Sequence, residues 1–231
     1  MHVPDGFLSP KLYLPAAAAA TGFWAYALRR VRRDLRDEAI PKLAVMTAAA
    51  FLLMSIAVPL PGGTSVHAAG VAMLAVTFGP WIAFLSISIV LLLQATVFGE
   101  GGITALPVNA LAMGLCGSFC AVAVHATLRR VNERVALFAA GWFSLAVPAA
   151  LMALALGVQP LIARAPDGAP RFFPFGIGVT LPALVVPNAI AGIGEGVLTV
   201  LACRFFAARA RSRGSDAAGP GERGVDQRRT R

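Results

Sequence analysis

The chain has 231 residues, of which 58% are hydrophobic and only 13% are charged. A soluble domain of this length needs more charge on its surface, so the composition excludes an ordinary water-soluble globule. The formal net charge is +9, but the basic residues sit between and after apolar runs, as in cytoplasmic loops, which argues against a nucleic-acid surface.

The first ten residues read MHVPDGFLSP. Pro4, Asp5, Gly6, Ser9 and Pro10 make this a turn-rich, non-helical segment, while Val3, Phe7 and Leu8 are apolar enough to tuck it into the protein. Met1 and His2 form a chelating pair. The α-amine of Met1, the amide nitrogen of His2 and the His2 imidazole close two fused rings on one metal ion. That places three nitrogens in a plane and leaves one corner open for a second imidazole. Such coordination suits Ni(II) or Cu(II). His2 is too bulky to favour removal of the initiator methionine. The opening also carries no basic n-region, apolar h-region or cleavage site, so the Met1 amine is expected to persist. Asp5 is expected to form a turn or to orient a nearby imidazole.

Seven apolar runs follow. The first covers residues 11 to 28 and leads into the basic loop RRVRRDLRDEAIPK. The second covers 43 to 60 and ends at the breakers Pro59, Pro61, Gly62 and Gly63. His67 comes next, in TSVHAAG, and residues 65 to 78 read as a short or broken helix whose start lies near it. Broken helices in membrane proteins mark ion sites where irregular backbone lines a buried cavity. Further spans are read over 81 to 98, 104 to 128, 135 to 157 and 177 to 206, each near the 20 residues that a bilayer requires. The segment 1–206 is one membrane domain, and 207–231 reads as a disordered basic cytoplasmic tail.

Lysine and arginine set the orientation. With seven helices, 17 of the 20 fall on one side: the loop at 29 to 42, the loop at 129 to 134, and the last helix end and tail. The N-terminus is then outside and the C-terminus cytoplasmic. Met1, His2 and His67 converge on the outer face. Gln94, Asn109, Asn188 and Glu195 are polar residues within or near apolar runs. Such groups are costly in a membrane and face the bundle interior, as packing residues or along a path. Glu195 is flanked by Gly192, Gly194 and Gly196; it could attract a cation or hold a helix junction. Glu100 reads as a turn carboxylate that raises local cation concentration, and His125 as an interfacial residue. Cys116, Cys120 and Cys203 are small buried residues; an odd number without a CxxC gives no disulfide framework. No P-loop, HExxH or GxSxG is present, so the chain is not read as an enzyme and any ATP hydrolysis belongs to other chains.

The stretches MHVPDGFLSP, GGTSVHAAG, FGPW, LLLQATVFGEGGITAL with Asn109 after it, and GIGEGVLT resemble the CbiM/NikM family. Those proteins are the substrate-capture subunits of cobalt and nickel energy-coupling factor transporters. The resemblance runs over residues 1 to about 206. It implies a seven-helix bundle in the cell (inner) membrane with an extra N-terminal helix. It also implies planar metal coordination, which falls on Met1, His2 and His67 here. The transported substrate would be Co²⁺ or Ni²⁺, the former in the service of cobalamin biosynthesis. The implied partners are a membrane coupling subunit, two ATP-binding subunits and, as a separate chain, a small accessory membrane protein. One departure is Asn188, where the family often has a histidine. The alternative reading is a secondary transporter or channel without ATPases, in which Glu195, Gln94 and Asn109 line the path.

Overall fold

The computed structural model describes residues 2–60 and 64–217. Among them the chain forms seven helices and one two-stranded ribbon. Helix α1 spans Pro10–Asp34, and α2 spans Asp37–Ser55 after an opening 3₁₀ turn. Strands β1 (Val58–Leu60) and β2 (Thr64–Val66) pair antiparallel, with Val58 opposite Val66. Helix α3 spans Val71–Phe78, α4 Pro80–Phe98, α5 Leu106–Leu128, α6 Glu133–Ile162 and α7 Ile177–Ala217.

Local chemistry explains most boundaries. Proline occupies the first turn of α1 and α4, and the first α-helical turn of α2 after its 3₁₀ opening, where its missing N–H costs nothing. Asn132 caps α6 by accepting from the Arg134 and Val135 N–H groups at 2.9 and 3.2 Å. Helix α3 is bracketed by Gly70 and Gly79, at φ of 66° and 89°, conformations that L side chains avoid. Helices α4 and α5 carry π-helical stretches, Gln94–Phe98 and Ala110–Cys116. Such widened turns occur preferentially at functional sites.

Helices α2, α4, α5, α6 and α7 are long and apolar enough to cross a membrane by length and composition. At 1.5 Å per residue, α4 is about 28 Å long, close to the hydrocarbon thickness. The core is filled by Met46, Met54, Leu74, Phe84, Ile87, Met113, Leu145 and Met152, while Leu52, Ile89, Val97, Ile190 and Leu201 point outward. An apolar exterior of this kind fits contact with lipid. Trp24 of α1 donates to Ser88 Oγ of α4 at 2.9 Å. The closest pairing is α6 with α7, where Gly141 lies against Gly196. A Cβ at Gly141 would sit 2.7 Å from the Gly196 Cα and 2.8 Å from the Glu195 carbonyl. Small residues permit this approach.

Three expectations are corrected. The second apolar run does not stay helical to residue 60; α2 stops at Ser55, and Val58–Leu60 becomes a strand. The short helix does not begin near His67 but at Val71, because the left-handed Gly70 delays its first turn. His67 therefore sits on a coil between β2 and α3. The last helix runs past the boundary at residue 206 as far as Ala217; residues 218–231 lie outside the described residues.

Candidate metal centre

Residues 2–9 precede α1 and fold back across the bundle, held at four points. The Val3 N–H donates to Asn109 Oδ1, and Asn109 Nδ2 donates to the Val3 carbonyl, both at 3.1 Å. The Asp5 carboxylate accepts from the Ile103 N–H at 3.0 Å, from the Thr104 N–H at 2.8 Å and from the Thr104 hydroxyl. Burial acts against the charged Asp5, but these hydrogen bonds hold its carboxyl below the usual range. The Ser9 N–H donates to Gln159 Oε1 at 2.9 Å. Phe7 packs on Phe173, with ring centroids 5.4 Å apart. The segment is thereby tied to α5, to the loop before it, to the end of α6 and to the loop after α6.

The second half of the site is the coil 67–70. His67 Nδ1 donates to the Ala68 carbonyl at 3.1 Å, which assigns the ring proton to Nδ1. The Ala69 N–H donates to Glu195 Oε2 at 2.8 Å. Gly70 abuts α2 so closely that a Cβ there would lie 3.1 Å from the Ala50 Cβ.

These two segments bring His2 and His67 together from 65 positions apart. Their ring centroids are 4.5 Å apart with planes inclined by 30°. His2 is 5% exposed and His67 3%. Nε2 of each ring is buried without a hydrogen-bond partner, a state that native interiors rarely leave uncompensated. Burial, and then the adjacent His67 ring, holds the His2 imidazole well below its ordinary pKa. Burial takes His67 down to about 3. Both rings are therefore neutral near pH 7, the form in which imidazole ligates a metal. Among the described residues no cluster of three or more His, Cys, Asp or Glu could hold a metal ion. A metal at this pair needs its remaining donors from the backbone, and Met1, which would supply the amine, lies outside the described residues.

The other anticipated residues divide into two sets. Asn109, Asp5 and Glu195 support the segments that carry the histidines. Asp5 lies in a turn, as expected, and its carboxylate anchors the loop ahead of α5. Glu195 holds a junction between α7 and the coil before α3. Gln94 is fully buried at the start of a π-helical turn with both amide atoms unpartnered. Glu100 is half-buried, and its N–H donates to the Gln94 carbonyl at 3.0 Å. Asn188 Nδ2 turns back to the Leu184 carbonyl of its own helix at 2.8 Å. His125 Nε2 lies 2.9 Å from Glu133 Oε1, at the α5–α6 corner. Sequence reasoning missed Gln159 and Phe173; it read the glycine stretch 99–102 as a turn but not its contact with His2. A Cβ at Gly101 would lie 3.3 Å from the His2 Cβ. The positive φ of Gly99 and Gly101 is the physical reason for the FGEGG pattern, which was the available signal.

An apolar-faced helical bundle enclosing a buried pair of neutral imidazoles defines a multi-pass membrane protein with a candidate metal centre. The chain belongs to the CbiM family, described as the cobalt uptake substrate-specific transmembrane region, whose profile matches residues 2–213. It is 40% identical over 206 residues to the fused nickel transport protein NikMN of Rhodobacter capsulatus, covering 86% of this chain and 59% of that protein. It is 35% identical over 209 residues to the probable fused nickel transport protein LarMN of Lactiplantibacillus plantarum, covering 89% and 64%. The chain thus spans about three-fifths of the length of these relatives. Its fold matches the crystal structure of a truncated transition metal transporter with a TM-score of 0.87 at 33% identity, over 90% of this chain and 99% of that one.

Proposed function

We propose that the chain is the metal-capture membrane subunit of an ATP-driven importer for cobalt or nickel ions. The Met1 amine, the His2 amide nitrogen, the His2 imidazole and His67 Nε2 would hold the ion in one plane. Ring size selects the His2 atom: only Nδ1 closes a six-membered ring with its own amide nitrogen. The three donors from residues 1 and 2 then fill consecutive corners, and His67 takes the corner beside the His2 imidazole. The observation that carries this reading is the side-by-side placement of His2 and His67, with His67 Nε2 bare. The cobalt-uptake description of the family and the nickel-transport names of its relatives support the metal class. An all-nitrogen site accepts both ions, and affinity order alone favours nickel over cobalt.

In this reading the ion is taken from the outer side, and the N-terminus faces outward. A membrane coupling subunit and two ATP-binding subunits provide the energy, with a small accessory membrane protein completing the assembly. Asn109 and Glu195, which a channel would place along a path, are engaged with the segments bearing the histidines. That engagement favours capture over a channel.

The test is nickel and cobalt titration of the purified chain in detergent, comparing the intact start, one residue added ahead of Met1, and His67→Ala. Blocking the amine is expected to abolish binding. His67→Ala is expected to weaken it by at least about 100-fold, beyond the ten- to hundredfold typical of residues outside the ligand set. Unchanged affinity in both variants would sink the proposal.

A further inference from the structure

We infer that Glu195 is a positioning residue for the metal site, fixing the tautomer and ring orientation of His67 through one intervening peptide group. This rests on the ligand role proposed for His67. The two hydrogen bonds involved share a single amide. His67 Nδ1 donates to the Ala68 carbonyl at 3.1 Å, and the N–H of that same peptide unit, carried by Ala69, donates to Glu195 Oε2 at 2.8 Å. Hydrogen bonds in series polarise one another. An acceptor on the N–H end draws negative charge onto the carbonyl oxygen, which becomes the better acceptor for Nδ1–H. The ring proton is then held on Nδ1, and Nε2 keeps its lone pair for the ion. Metal-bound imidazoles commonly give their second N–H to a carboxylate or a backbone carbonyl, which fixes the tautomer and raises ligand basicity. Here the carboxylate acts one amide further out.

The surroundings leave the arrangement little freedom. Glu195 is 1% exposed. The Gly70 and Val71 N–H groups at the start of α3 face the same carboxylate, whereas Oε1 makes no hydrogen bond. The glycines beside it seat α7 tightly: a Cβ at Gly196 would lie 2.7 Å from Phe138 Cδ2, and one at Gly192 would lie 2.9 Å from Trp142 Cδ1. On the other side Gly70 rests against Ala50. The peptide 68–69 is thus pinned between α2 and α7, and its dipole is aimed at His67.

The experiment reads the ¹⁵N resonances of His67 in the metal-free chain and, separately, the affinity for nickel sulfate. Wild type is expected to show the Nδ1–H tautomer. Glu195→Ala is expected to mix the two tautomers and to weaken nickel binding about 10–100-fold. Glu195→Gln still offers an oxygen to the Ala69 N–H; it is expected to keep the tautomer and to stay within about tenfold of wild type. Should Glu195→Ala fail to fold, Glu195→Asp, one methylene shorter at the same charge, is expected to show the same loss. A His67 tautomer that stays fixed in the alanine or aspartate variant, with or without a change in affinity, overturns the inference. Failure of wild type to bind nickel would refute the ligand reading instead, and the tautomer of the metal-free chain would still report on Glu195.

Discussion

Asn109 commits both ends of its side-chain amide to Val3, the residue after His2. The Val3 N–H is thereby occupied, and the coordination proposed above uses the amide nitrogen of His2 instead. Replacing Asn109 by alanine leaves a buried N–H and a buried carbonyl unpaired. It is expected to cost about 1–3 kcal/mol of stability and to weaken metal binding 10–100-fold, as read by thermal unfolding and by nickel titration. The two imidazoles make the metal-free protein sensitive to acid. In the unfolded chain they protonate near pH 6.5, but burial depresses both in the folded state, His67 to about 3. Below pH 6.5 the unfolded state therefore binds more protons than the folded one. The stability these neutral rings contribute is complete above that value and falls as the pH drops toward 3. The unfolding midpoint of the metal-free chain is expected to fall between pH 7 and pH 5, and His67→Phe should flatten that slope. The side-by-side placement of His2 and His67 agrees with the convergence expected of them from the sequence, where a Met-His pair suggested chelate chemistry. The partners of Asp5 could not be picked from the sequence, because Ile103 and Thr104 lie 98 and 99 positions away and a carboxylate in a turn looks the same whether it caps or anchors.

Apolar runs gave the central parts of the long helices, since a span needs length and hydrophobicity and little else; the basic ends of α1 and α7, reaching Asp34 and Ala217, carried no apolar signal. The runs also failed between residues 56 and 70. Strands β1 and β2 have three residues each, and what makes them strands is their pairing with each other; no periodicity of 2 can show in so short a stretch. The start of α3 was misplaced for a related reason: Gly70 was visible, but its left-handed φ and its close approach to Ala50 were not. The α6–α7 seam was equally silent, because a glycine in an apolar run does not announce what faces it. Gly141→Ala is expected to destabilise the bundle by about 1–3 kcal/mol, measured as a lower unfolding temperature in detergent. The added methyl would meet Gly196 backbone, which cannot rotate aside.

Across the whole molecule the basic residues predict which side faces the cytoplasm. Cysteines introduced at two exposed positions test this in intact cells. An impermeant thiol reagent is expected to label Asp167→Cys, in the loop after α6, and not Asp37→Cys, at the start of α2; the reverse pattern would invert the proposed orientation. The hydrogen bonds that seat the first nine residues have a further consequence for biosynthesis. Val3 waits for Asn109, Ser9 for Gln159, and the coil bearing His67 for Glu195, separations of 106, 150 and 126 positions. The segment around His2 is thus made well before the side chains that hold it. A product lacking α7 would lack Glu195, the acceptor for the Ala69 N–H two residues after His67, so under the proposed metal reading capture of an ion would follow the docking of α7.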